Sequence, residues 1–186
     1  MKNVHLYAAL LLMLGFFFTA CDKDDPEIIT PEEVITTLTY TLTPTNGGAA
    51  VILNFSDLDG DGGIAPVITG GTLAANETYA GALTLLNESE SPAESITEEI
   101  AEEDAEHQFF FQSDISDVAV AYNDQDGDGN PVGLSNTLTT GAAATGTLTV
   151  ILRHEPNKSG ENVANGDITN AGGETDIEVT FPIDVQ

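Results

Sequence analysis

Cysteine is almost absent from this 186-residue chain: there is one, Cys21. A lone thiol excludes an intrachain disulfide framework. Basic residues are nearly as scarce, four lysines and arginines against 31 aspartates and glutamates, for a formal charge of −27. That balance excludes nucleic acid as a partner and excludes direct adhesion of the protein surface to anionic lipid. It admits cations, and partners that carry basic patches. Catalytic signatures are missing as well. There is no G-x-S-x-G and no phosphate loop, and His154-Glu155 begins like the helical zinc-protease pattern only to meet Lys158 where the second histidine belongs. Carboxylates are too abundant for any one pair to mark a glycosidase. The chain reads as a non-enzyme.

Only one long apolar run occurs, and it is at the start. Lys2 is followed by an almost wholly apolar stretch, residues 4–19, centred on Leu10-Leu11-Leu12 and Phe16-Phe17-Phe18. About 15 apolar residues suit a signal-peptide core, whereas a membrane-spanning helix needs about 20. The run ends Phe18-Thr19-Ala20-Cys21, small residues ahead of the sole cysteine. This arrangement resembles a lipobox, which implies that the Cys21 thiol carries diacylglycerol and that Cys21 becomes the mature N-terminus. Acyl chains, at about 0.8 kcal/mol per buried CH₂, hold such a protein on the membrane. Residues 1–20 are therefore read as a lipoprotein signal peptide and residues 21–32 as lipidated cysteine and acidic tether, kept extended by Pro26, Pro31 and its carboxylates. Lys23-Asp24-Asp25 just behind the cysteine resembles the export tag of surface lipoproteins, and implies display on the outer face of the outer membrane.

Residues 33–186 read as a single all-β domain. Period-two alternation places Val34, Thr36, Leu38, Tyr40 and Leu42 on one face, and repeats at Val51, Leu53 and Phe55, and at Tyr79, Gly81, Leu83 and Leu85. It recurs at Val118, Val120 and Tyr122 and at Leu148, Val150 and Leu152. Ile177, Val179, Phe181, Ile183 and Val185 point inward in the last strand, with Asp176, Glu178 and Asp184 outward. Phe109-Phe110-Phe111 is a continuous apolar run, as in a strand covered on both faces. β-branched segments separated by Gly, Asn and Asp turns predict an antiparallel, immunoglobulin-like β-sandwich of about eight strands. One surface helix is expected over residues 92–105, with Ser91 as N-cap, Pro92 at the first helical position, and Ile96 and Ile100 inward. Its carboxylates read as a solvated face. Residues 156–173 are polar and lack periodicity, a loop length that is uncommon unless functional or floppy.

Two segments echo each other. Asp57, Asp59 and Asp61 stand at spacings of two before Gly62, and Asp124, Asp126 and Asp128 stand likewise before Gly129. Oxygen ligands at positions one, three and five with glycine at six are what a calcium loop requires. Position twelve is Ile68 in one and Ser135 in the other, so these are not EF-hands. They resemble the open aspartate loops of extracellular β domains, and a structural Ca²⁺ is expected at these six residues. Aspartate and glycine are also good turn formers. His107 is assigned no role, and His154, beside Glu155 and Pro156, reads as a surface or turn residue, with a transition-metal role as the lesser alternative.

Leu83 to Glu88 with residues 92–111, and Leu152 to Pro156 with Gly173 to Ile177, resemble small surface lipoproteins of the Bacteroidetes type over nearly the whole mature chain. Some such chains carry the label of a type 1 periplasmic binding fold, an architecture of alternating βα units that this pattern lacks. The expected function is that of a lipid-anchored, surface-exposed, non-enzymatic binding or structural module of the outer membrane, stabilised by calcium, whose partner is a protein or a glycan. The competing expectation is a periplasm-facing accessory protein that binds a metal or small ligand through loops at one end of the sandwich.

Overall fold

The computed structural model describes residues 33–60 and 63–186. Among the described residues, ten strands form two sheets. In chain order they are β1 (Thr37–Pro44), β2 (Val51–Ser56), β3 (Val67–Thr69), β4 (Gly71–Leu73), β5 (Thr78–Leu86), β6 (His107–Ser113), β7 (Ala119–Tyr122), β8 (Ser135–Thr139), β9 (Ala144–His154) and β10 (Glu174–Val185). Among the described residues there is one α-helix, α1, Ile96–Glu102, between β5 and β6. One sheet runs β3-β2-β1-β5-β8-β7 and the other β4-β10-β9-β6. Every pairing is antiparallel except β4 with β10.

The alternation read from the sequence is what joins the sheets. Leu38, Tyr40, Leu42, Leu53, Tyr79, Leu83 and Leu85 from the first sheet meet Phe109, Leu148, Val150, Leu152, Val179 and Phe181 from the second in one buried cluster. At roughly 1.5–3 kcal/mol for each large apolar side chain removed from water, this layer dominates the folding energy. Within it, the Tyr40 hydroxyl donates to Asn136 Oδ1 at 2.6 Å, and Asn136 Nδ2 donates to the Gly133 carbonyl at 3.1 Å. Its polar atoms are thereby satisfied where water cannot reach.

Four expectations are corrected. The described residues form ten strands where about eight were expected, because residues 66–73 contribute two short ones, one to each sheet. The switch is made at Gly70, where a Cβ would stand 1.9 Å from the Pro182 carbonyl oxygen; only glycine permits that approach. Val34 is 56% exposed, since β1 begins only at Thr37. The helix starts later than residue 92. Glu94 exchanges both backbone hydrogen bonds with Asn87, which holds the chain extended, and Ser95 is the N-cap, its hydroxyl accepting from Glu98 N–H at 3.3 Å. Ile96 and Ile100 are buried as expected, and Thr97 docks α1 on β5 by accepting from Leu85 N–H and donating to its carbonyl. Fourth, the Asp176 side chain is fully buried rather than outward. The β9–β10 register slips between Thr175 and Ile177, and the extra residue re-aims its side chain.

β6 is indeed covered on both faces. Phe109 enters the main core, while Phe110 on the outer face packs with Ile151, Val163, Ala171 and Ile168. The last three belong to residues 156–173, which wind through two 3-10 turns, Val163–Asn165 and Ile168–Asn170. Gln108 on that same face donates to the Val163 carbonyl at 3.0 Å. The long polar loop is thus a lid on the four-stranded sheet.

Candidate functional site

Strand directions bring several features to one end of the sandwich. Ser56 at the end of β2 and Leu86 at the end of β5 both pair with Thr37 at the start of β1. β7 runs toward the same end, although Tyr122, level through Asn136 and Gly81 with Leu42, stops short of it. Both aspartate loops therefore leave in this direction. In the second sheet, His107 at the start of β6 pairs with His154 at the end of β9, which pairs with Glu174 at the start of β10. Glu33, just ahead of β1, reaches over to His107.

The second aspartate loop is held by the protein itself. Asp124 accepts from the backbone N–H groups of Gly133 and Ser135, each at 2.7 Å. Asp126 is buried, accepts from Asp128 N–H at 3.0 Å and Asn130 N–H at 2.8 Å, and meets Lys158 Nζ at 3.0 Å. Burial alone would raise the Asp126 pKa, but Lys158 and the two backbone donors outweigh it and hold the carboxyl below its ordinary value. Asp128 is exposed. Lys158, equally buried, also donates to the Asp104 carbonyl. An ammonium ion thus stands against the central carboxylate of the loop. In the first loop, Asp59 Oδ2 accepts from Ile64 N–H at 3.3 Å, and Asp57 Oδ1 is buried without a hydrogen-bond partner. Asp61 lies outside the described residues, as does Cys21 with the rest of residues 1–32.

The densest cluster of chemically capable groups at this end is one that sequence reasoning missed. His107 is fully buried, and its ring stacks on that of His154 with centroids 4.8 Å apart and planes 12° apart. His107 Nδ1 lies 3.1 Å from the Glu103 carbonyl, an arrangement that places the proton on Nδ1. Its Nε2 faces Glu33 Oε1 at 3.1 Å and Asp176 Oδ2 at 3.9 Å, with neither aligned as a hydrogen bond. His154 presents Nδ1 to Asp176 Oδ1 at 3.9 Å and Nε2 to Glu106 Oε2 at 3.9 Å. Burial opposes charge on His107, but Glu33, the Glu103 carbonyl and Asp176 together raise its pKa. The contact with His107 lowers that of Glu33 against its own burial. His107, His154 and Asp176 each offer a ligand atom, all within 4.8 Å of one another. Such a set can hold a proton between carboxylate and imidazole, or a metal ion.

A signal for it exists in the sequence. His107 continues the inward phase of Phe109 and Phe111, and His154 that of Leu148, Val150 and Leu152, so each is a polar residue in a core phase at a strand end. Asp176 carried no such signal, since its inward aim depends on the bulge.

No protein-family model and no curated protein matches the sequence. Among solved structures, domains 4 and 5 of the S-layer protein SbsC are similar over 78% of this chain and 75% of that chain, at 15% identity and a TM-score of 0.30.

Proposed function

We propose that the chain is a lipid-anchored, non-enzymatic module displayed on the exterior of the outer membrane, where it binds a protein partner or supports a larger envelope assembly. The observation that carries this reading is the placement of the only cysteine directly behind the apolar run, with the strands of the described residues beginning at Thr37. Residues 21–32 would act as a tether reaching at most about 40 Å. A protein is favoured over a glycan by the exposed apolar side chains of Ile52, Val67 and Ile68 along the β2–β3 edge, joined by Leu58 and Ile64 in the loop. Among the described residues every aromatic side chain is buried or half-buried, so none stands out as a stacking platform.

Within this reading, calcium is proposed for the first aspartate loop, where Asp57 keeps an unpartnered buried oxygen. In the second, Lys158 already supplies a positive charge to Asp126.

Anchoring and display are tested together in cells. Cys21→Ser abolishes labelling by a fatty-acid probe and moves the protein out of the membrane fraction. Replacing Lys23, Asp24 and Asp25 with alanine preserves labelling but protects the domain from protease added to whole cells. A Cys21→Ser protein that stays labelled and membrane-bound refutes the anchor. Unchanged protease access in the triple variant refutes the export tag.

A further inference from the structure

We propose that His107, His154 and Asp176, with Glu33 at their side, form a site for one divalent transition-metal ion, zinc foremost. Imidazole nitrogen beside carboxylate oxygen is the donor set of zinc and its first-row neighbours; calcium takes oxygen ligands. The arrangement of the two rings is what distinguishes this cluster from a chance meeting of polar groups. Each imidazole turns one nitrogen inward; His107 Nδ1 is held from outside by the Glu103 carbonyl at 3.1 Å, and the Glu106 carboxylate stands 3.9 Å from His154 Nε2, beyond hydrogen-bond distance, where it would close on the ring as His154 turns. Outer partners of this kind fix the tautomer and the orientation of metal-binding histidines. With its proton on Nδ1, His107 directs Nε2 at the Glu33 carboxylate. A bare lone pair there and the carboxylate repel unless a proton or a metal cation lies between them. His107 Nε2 and Glu33 Oε2 are both buried without a hydrogen-bond partner, which marks the place where that cation would bind.

The fold supplies rigidity from three strands: β6 carries His107, β9 carries His154, and the bulge in β10 delivers Asp176. Ligand atoms within 4.8 Å of one another close onto a tetrahedral ion, with bonds of about 2.0–2.2 Å, by moving less than ~1 Å each. The stacked rings share nearly one orientation, so His154, the more exposed at 13%, must turn about its side-chain bonds to aim Nδ1 at the ion. Glu33, whose Oε1 is 3.1 Å from His107 Nε2 but which lies outside the three-residue set, would move in to complete four protein ligands and close the site. Its role is then to pin the segment ahead of β1 to the second sheet.

The experiment uses the full chain in detergent, stripped with chelator and titrated with Zn²⁺ or Co²⁺ in excess Mg²⁺ and Ca²⁺, which occupy loose carboxylate sites. One Zn²⁺ binds per chain, and Co²⁺ develops the visible d–d absorption of a low-coordinate site with nitrogen ligands. His154→Ala removes the band and weakens Zn²⁺ at least about tenfold. Glu98→Gln on the solvated face of α1 changes neither. Glu106→Gln, at an exposed residue whose loss leaves the core intact, also weakens Zn²⁺ by about tenfold or more. Should the wild-type chain give no cobalt band, or should both His154→Ala and Glu106→Gln bind Zn²⁺ as tightly as wild type, the cluster is a buried ion-pair network that shares a proton.

Discussion

At the scale of single residues, Lys158 does the most for its size. It is one of two lysine or arginine residues among those described, and its ammonium group is buried against Asp126 in a chain of charge −27. Removing one member of a buried ion pair leaves the other uncompensated, at a cost of about 3–5 kcal/mol. Lys158→Met is accordingly expected to destabilise the domain by that amount in urea unfolding. Adding Asp126→Asn to it recovers part of the loss, because the stranded charge is gone. The pH dependence follows from the lowered pKa of Asp126. A carboxyl held below its ordinary value contributes stability that is complete above about pH 4 and is lost as pH falls through the folded-state value. Acid unfolding below about pH 4 is therefore steeper in the wild type than in Asp126→Asn. Equal slopes would mean that the pair contributes nothing. This contact joins positions 32 apart in sequence, and local spacing could not reveal it. What spacing did reveal, three aspartates two apart, is the same pattern whether a metal, a lysine or backbone N–H groups occupy the carboxylates.

At the scale of elements, alternation was readable wherever a strand has one face on the core. β1, β5, β9 and β10 bury the side chains their phase predicts because a one-residue slip would turn that whole set to water. Elements whose form depends on distant partners were not readable. The N-terminal turn of the expected helix lost to the backbone bridge between Asn87 and Glu94, and the outward phase of Asp176 lost to the bulge. Residues 156–173 have no periodicity because 3-10 turns impose none, yet Val163 and Ala171 are fully buried over Phe110. The segment at residues 66–73 is too short to show a phase, and its crossing from one sheet to the other rests on Gly70. Gly70→Ala puts a methyl group against the Pro182 carbonyl, and that backbone is committed to β10 pairing on both sides. Overpacking of this kind costs typically about 1–3 kcal/mol. The expected readout is a lowered melting temperature together with faster amide exchange in Gly71–Leu73 than elsewhere in the sheet. Exchange that speeds up uniformly, or not at all, would show that the crossing does not depend on close approach.

At the scale of the whole molecule, a charge of −27 makes every cation a stabiliser to some degree, so binding must be separated from screening. Screening depends on ionic strength and treats Ca²⁺ and Mg²⁺ alike. A site does not, since Mg²⁺ dehydrates reluctantly and demands octahedral geometry, whereas Ca²⁺ accepts the irregular oxygen set of an open loop. If Ca²⁺ binds only the folded first loop, at 100 times its dissociation constant it adds about 2.7 kcal/mol by mass action. For a domain of this length that raises the melting temperature by roughly 2–4 °C per kcal/mol. The measurement is thermal unfolding of the full chain in EGTA, then in millimolar Ca²⁺ or Mg²⁺ at matched ionic strength. A calcium-specific rise is expected, removed by Asp57→Asn with Asp59→Asn and kept in Asp124→Asn, because Asp124 serves backbone N–H groups. Loss of the rise in Asp124→Asn would relocate the ion to the second loop, in competition with Lys158. Equal rises for both cations would leave screening as the whole effect, and both aspartate loops as turns closed by their own hydrogen bonds.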